Sequence, residues 1–186
     1  MIDELPPTLK EEVFYHQYGQ LMQKFYFFQN QAENSFRWAV VRKLRKISYD
    51  RTADVIFTDQ DLADGMYFIY SGTVKIYAEN GFSFATFRKG ENFGETDILT
   101  GMRRNGTART VDILQMYTLT KADLEQSLQE FPDVRRKLLQ EAIEKQRELA
   151  KARYQILSKN PIYGLKAKQR EALRNISIMN STLKKK

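Results

Sequence analysis

Between Val55 and Leu119 the chain is cut into short runs of β-branched and aromatic residues: VIF, MYFIY, TVKIY, FSFATF and LQMYTL. Ser71-Gly72, Asn80-Gly81 and Lys89-Gly90 punctuate them. Runs of this length suit strands and are too short for buried helices. Asn80-Gly81 between two such runs predicts a two-residue type I′ hairpin, which needs positive φ at both central positions. Short strands at this spacing predict a barrel, roll or jelly roll rather than an alternating α/β sheet.

Both flanks read as helical. Thr8-x-x-Glu11 after Pro6-Pro7 has the form of a capping box, and Leu9, Val13, Leu21 and Phe25 follow at helical spacing. Phe25 to Phe28 close that helix with an aromatic cluster. A second helix is predicted over Ser35 to Lys46, with Phe36, Val40 and Leu44 on one face and Trp38 packing in a core or interface. Thr120-x-x-Asp123 caps a short helix holding Leu124 and Leu128, and Pro132 suits the first turn of the next. Val134, Leu138, Ala142, Lys145 and Leu149 then form a stripe broken by one lysine. That lysine either lies along the core edge with its ammonium in water or faces a polar ligand. Asn160-Pro161 is expected to break this helix, residues 164–177 to form another, and STLKKK to be a disordered basic tail. The expected fold is α+β: an antiparallel, jelly-roll-like β-roll over 48–150 including a C-terminal lid helix, N-terminal linker helices over 1–47, and a helical or disordered basic tail over 151–186.

The net charge of +7 first raises the possibility of nucleic-acid binding. Residues 151–186, however, hold ten Lys/Arg against one acid, and the first 150 residues hold 20 basic against 22 acidic groups. The excess belongs to the tail, so no nucleic-acid partner is expected. There is no cysteine, which excludes a disulfide scaffold, a Cys-ligated metal and a Cys nucleophile. The one histidine, His16, reads as a half-exposed helix residue. No metal, cofactor or enzymatic activity is expected from this inventory. No apolar run has the length of a membrane span, and MIDELPP is not a signal peptide.

The chemistry concentrates in FRKGENFGETDILTGMRRNGTART, Phe87 to Thr110. Gly94 before a short helical turn leaves backbone N–H groups free to meet an anion and lets a ligand approach closely. The planar fork of Arg104 can grip two phosphate oxygens. Glu95 cannot bind phosphate but can accept hydrogen bonds from a sugar hydroxyl. One phosphate and one ribose hydroxyl on a single ligand satisfy all three features. The same residues also fit a capped turn with Glu95 favoured by the helix dipole and both arginines in solvent.

Gly72…Phe93-Gly94-Glu95…Arg104, set among these strands and followed by a helix after Phe131-Pro132, resembles the cyclic nucleotide-binding domain. LPPTLKEEVFYHQYGQLMQKFYFF, VVRKLRKI and DGMYFIYSGTVKIY are similar to the linker and roll of cyclic nucleotide-gated and hyperpolarisation-activated channels. The similarity covers about residues 5–150. It implies a ribose contact at Glu95, a phosphate contact at Arg104, and backbone amides at Gly94 and Thr96. It also implies a base wall of Ile76, Ala85 and Phe87, with Lys145 and Leu149 where the lid meets the base. The implied ligand is cAMP or cGMP. The implied setting is the cytoplasmic side of a membrane, with the channel pore and neighbouring subunits of a tetramer as partners. The basic tail could meet anionic lipid.

Three positions depart from that pattern. Asn105 stands where these channels often carry a Thr that helps cGMP, which favours cAMP. Lys145 stands where an Arg is frequent and loses planar stacking. Asp97 stands where a small uncharged residue is usual. It can point away, pair with Arg103 or favour the helix start, or it can fill the anion site by pairing with Arg104. The last case makes the domain a nucleotide-independent homology module. A transcription regulator is disfavoured because the residues after about 158 are too few and too poorly patterned for a helix-turn-helix, and a cyclic nucleotide-dependent kinase subunit because there is no tandem domain.

Overall fold

The computed structural model describes residues 16, 18–159, 163, 168–170, 172, 173 and 175. The predicted Thr8 capping box lies outside them. His16 is helical and exposed and hydrogen-bonds Gln20. Residues 18–24 are helical, and at Phe25 the backbone turns extended before a single turn, α1 (Tyr26–Gln29). α2 spans Asn34–Val41.

Eight strands follow: β1 (Arg45–Tyr49), β2 (Val55–Phe57), β3 (Gly65–Ser71), β4 (Thr73–Tyr77), β5 (Ser83–Arg88), β6 (Asn92–Phe93), β7 (Thr107–Thr110) and β8 (Leu114–Thr120). Three helices complete the order: α3 (Glu95–Thr100) between β6 and β7, α4 (Lys121–Gln129) and α5 (Pro132–Ser158). The strands make two antiparallel sheets, β1-β8-β3-β6 and β2-β7-β4-β5, the expected roll.

Two sequence expectations need correction. The helix predicted over Ser35 to Lys46 ends at Val41. Lys43 and Leu44 close tight turns onto Val40 and Val41, and Arg45 opens β1, which pairs Arg45↔Thr118 through Tyr49↔Leu114. The partner strand offers these backbone groups a ladder that a continued helix could not use. The Asn80-Gly81 turn is a hairpin but not of the two-residue type. Only Gly81 has positive φ (81°), Gly81 N donates to Ala78 O, and Ala78 N donates to Phe82 O. A three-residue loop of this kind needs one left-handed residue, which glycine supplies at least cost.

The first sheet separates two cores. Side chains alternate along a strand, so Met66 and Phe68 of β3 face the helices while Tyr67 and Ile69 face the roll interior. On the helical side Phe25, Phe27, Phe28, Phe36 and Phe68 pack ring against ring. Trp38 packs against this core, half-buried. On the roll side Val74, Ile76, Phe87, Phe93, Ala108, Leu114 and Met116 fill the space between the sheets. Thr120 caps α4 as its sequence predicts, accepting from Asp123 N at 3.1 Å. Leu124 and Leu128 are buried beneath that helix. Pro132 opens α5, with Leu138 and Ala142 buried. The described residues of the segment 164–177 are helical. No helix among the described residues is long and apolar enough to cross a membrane.

Candidate functional site

β6 delivers Phe93 into the roll core, and the chain then turns at Gly94 (φ 85°) straight into α3. A Cβ at Gly94 would lie 2.8 Å from Arg104 Nη1 and 3.2 Å from Gly65 O. Gly94→Ala therefore meets both a disfavoured φ and a close neighbour, and should lower stability by about 1–3 kcal/mol. Urea unfolding checks this, and an unchanged midpoint would show that the turn relaxes freely.

α3 is short and turned inward. Glu95, Thr96 and Asp97 are each about nineteen-twentieths buried. Arg104 is 0% exposed. Its Nη1 donates to Gly94 O at 2.9 Å, and its Nη2 donates to Gly65 O at 2.6 Å and Asp64 Oδ1 at 3.1 Å. The guanidinium lies 4.3 Å from the ring centroid of Phe57, a cation–π contact. Beside it, burial and the Asp64 carboxylate push the Tyr67 phenol up to about 12, so that ring stays neutral. Asp97 Oδ2 stands 3.8 Å from Arg104 Nη1.

The middle of α5 closes over this floor. Lys145 Nζ donates to Glu95 Oε1 at 2.6 Å and to Asn92 O at 3.0 Å, 5.2 Å from the Phe87 ring centroid. Gln146, 1% exposed, donates through Nε2 to Asp97 Oδ1 at 3.4 Å and contacts Met102 Sδ at 3.2 Å. Among the described residues five buried side-chain atoms lack a hydrogen-bond partner, and four of them, Glu95 Oε2, Arg104 Nε, Asn105 Nδ2 and Gln146 Oε1, lie here, the fifth being Arg37 Nε. Buried polar atoms in this condition are costly, and their clustering marks a place built for a polar guest.

One pocket collects most of the residues the sequence singled out. Gly94, Glu95, Thr96, Asp97, Asn105, Ile76, Phe87, Lys145 and Leu149 all line it. Two do not. Arg104 sits behind the wall, its terminal nitrogens already held by protein acceptors. Ala85 is registered opposite Ile76 and packs against the roll core without lining the pocket. Phe57, Phe93 and Gln146 line it without having been foreseen as site residues. Arg153, also unforeseen, is buried on the same helix. Continuing the α5 stripe by four residues from Leu149 to Arg153 and again to buried Leu157 would have flagged that arginine as inward-facing. Of the orientations open to Asp97, the structure takes the inward one, towards Arg104 and Gln146. No group of three or more acidic or histidine side chains suited to a metal occurs among the described residues.

Residues 50–131 match the model of the cyclic nucleotide-binding domain. A cyclic nucleotide-gated channel of Caenorhabditis elegans is 30% identical over 142 residues, covering 73% of this chain and 19% of that protein. Cyclic nucleotide-gated channel alpha-3 of Homo sapiens is 28% identical over 145 residues, covering 74% of this chain and 21% of the relative. A cyclic nucleotide-gated cation channel of Ictalurus punctatus is 29% identical, with 74% and 21% coverage. The chain thus spans about a fifth of the length of these relatives. They are channels, in line with a binding module rather than an enzyme.

Proposed function

We propose that residues 50–131, which match the model of the cyclic nucleotide-binding domain, form such a domain and that this chain binds a cyclic purine nucleotide, cAMP in preference to cGMP. We place it on the cytoplasmic side of a membrane, coupling closure of α5 to the gating of a channel. The observation that carries the reading is the convergence of Glu95 and the Gly94–Thr96 turn on one pocket roofed by Lys145 and Leu149, with the Arg104 guanidinium directly behind the turn at Gly94 O. Glu95 Oε2 is a buried acceptor that lacks a protein donor. A ribose hydroxyl supplies one. Lys145 neutralises the other oxygen and is positioned to exchange that contact for the ligand. The basic residues after 158 would face anionic lipid, and pore and subunit partners would follow from a channel context.

A second reading has its own observation. Asp97 is buried 3.8 Å from Arg104, where a phosphate would stand, and the arginine's terminal donors are satisfied internally. In that reading Asp97 is a built-in anion and the domain is a structural module. Titration calorimetry with cAMP and then cGMP separates the two. A carboxylate ~5 Å from a phosphate costs ~3 kcal/mol at an effective dielectric of ~20. Asp97→Ala should therefore tighten binding by up to about a hundredfold. Binding by the wild type, stronger for cAMP and tightened by Asp97→Ala, is the expected result. No heat from the wild type with clear binding by Asp97→Ala would favour the module. No heat from either protein would sink the nucleotide reading.

A further inference from the structure

The outer half of α5 carries a charge cluster around buried Arg153 that shares only Asn105 with the pocket. Arg153 is 5% exposed. It forks onto both carboxylate oxygens of Asp59 at 3.0 Å each, and donates to Glu79 Oε2 at 2.6 Å and Asn105 Oδ1 at 2.7 Å. Arg170 adds a contact to Asp59 Oδ2 at 3.2 Å and another to Glu79. Two-pronged guanidinium–carboxylate bonds are among the strongest and most directional polar contacts in proteins.

The acceptors come from three separate places. Asp59 follows β2, Glu79 sits in the β4–β5 loop, and Asn105 directly follows Arg104. The Asp59 loop is itself bonded to the segment that runs from Arg104 into β7. Gln60 N donates to Arg104 O at 3.0 Å, Arg104 N donates to Asp61 O at 2.9 Å, and Asp59 N donates to Thr107 Oγ1 at 3.2 Å. Those bonds hold Gln60 at a φ of 70°, a conformation non-glycine residues seldom adopt. Arg153 thus binds the helix to the same backbone unit that carries the site arginine. Burial works against the charge on Asp59, and the hydrogen bonds and charge of Arg153 more than offset it, so its carboxyl lies below the usual carboxylate range.

The pocket beneath the clamped helix encloses about 20 Å³. Small-molecule sites span about 300–1,000 Å³. With α5, Lys145 and Gln146 in this position there is little room for a nucleotide, so the roof has to shift before one is admitted.

We propose that Arg153, Asp59, Glu79 and Asn105 form an autoinhibitory latch, which holds α5 across the pocket and must open for the ligand to be admitted. The proposal rests on the nucleotide-binding reading above for the identity of that ligand. A latch of this kind lowers apparent affinity by the fraction of molecules that are unlatched. It therefore predicts that weakening the clamp strengthens binding. A clamp that belonged to the ligand-bound arrangement would predict the reverse.

The test uses the full chain in three forms: wild type, Arg153→Gln, and the double variant Asp59→Asn with Glu79→Gln. Amide hydrogen exchange of residues 145–158 is followed without nucleotide, and cAMP affinity is measured by calorimetry. The Arg153→Gln form leaves carboxylates that water can reach, so it guards against a double variant that does not fold. The expected result is faster exchange in α5, with exchange in β3 and β8 unchanged, and cAMP binding tightened by about tenfold. Unchanged α5 exchange in both variants overturns the latch. Faster exchange with weaker cAMP binding overturns its inhibitory sense. Absence of binding by all three forms removes the nucleotide reading and the gating half of this proposal, while the exchange rates still decide whether α5 is clamped.

Discussion

Replacing Arg104 with alanine should lower the unfolding free energy by about 3–5 kcal/mol, before any ligand is considered. The guanidinium is fully buried and holds the carbonyls of Gly65 and Gly94, stacks on Phe57, and faces the carboxylates of Asp64 and Asp97. Truncation removes the guanidinium donors from the Gly65 and Gly94 carbonyls, leaves the inward carboxylate of Asp97 without its cation, and opens a void beside Phe57. Arg104→Lys keeps the charge but not the fork, so it should recover only part of the loss. Urea unfolding followed by tryptophan fluorescence measures both. A loss under about 1 kcal/mol for the alanine variant would place it among ordinary surface substitutions, and the arginine would then have to point into the pocket in solution. The consequence for binding studies is direct. Loss of nucleotide affinity in Arg104→Ala is informative only where circular dichroism shows the variant folded.

Phe68→Ala should cost a similar amount, about 3–5 kcal/mol, by removal of a fully buried ring. Phe68 is stacked on Phe28 at 5.5 Å between centroids and meets Phe25 at 5.3 Å and Phe27 edge-on at 5.5 Å. Three of these four rings belong to the N-terminal segment and one to the middle of β3. The void therefore opens at the seam between helices and sheet. For a chain of this length each kcal/mol shifts the melting midpoint by about 2–4 °C, so a fall of roughly 10 °C is expected. A single cooperative transition at the lower midpoint would mean that helices and roll unfold together. Two transitions, the first losing helix signal only, would show that the aromatic seam is what makes them one unit.

Much of the roll was legible because its signals are local. β3, β4, β5 and β8 declare themselves by β-branched and aromatic density, with glycine between them. β1 did not, because RKISY begins with two basic residues that continue a helical pattern. Its strand character comes from β8, far along the chain. β6 and β7 are two and four residues long and hold too few apolar side chains to show a period. At the site, Gly94, Glu95, Lys145 and Leu149 come together in one pocket. The direction of Asp97 was not legible, since a carboxylate after a turn has several partners within reach and only the fold chooses among them. Arg153 was missed for a related reason: an arginine in a charged helix reads as solvated until its carboxylates arrive from two other parts of the chain.

The length of α5 has a mechanical consequence. Its 27 residues make a rod of about 40 Å. One end is seated beside the aromatic core at Phe131 and Leu138, and the other is pinned at Arg153 and Leu157. A tilt of about 10° at the seated end carries the tip through roughly 7 Å, by the geometry of a rod of that length. The helix is therefore a lever with its fulcrum in the phenylalanine cluster. A movement at its root no larger than a side-chain repacking becomes, at its tip, a displacement comparable to a full helical turn.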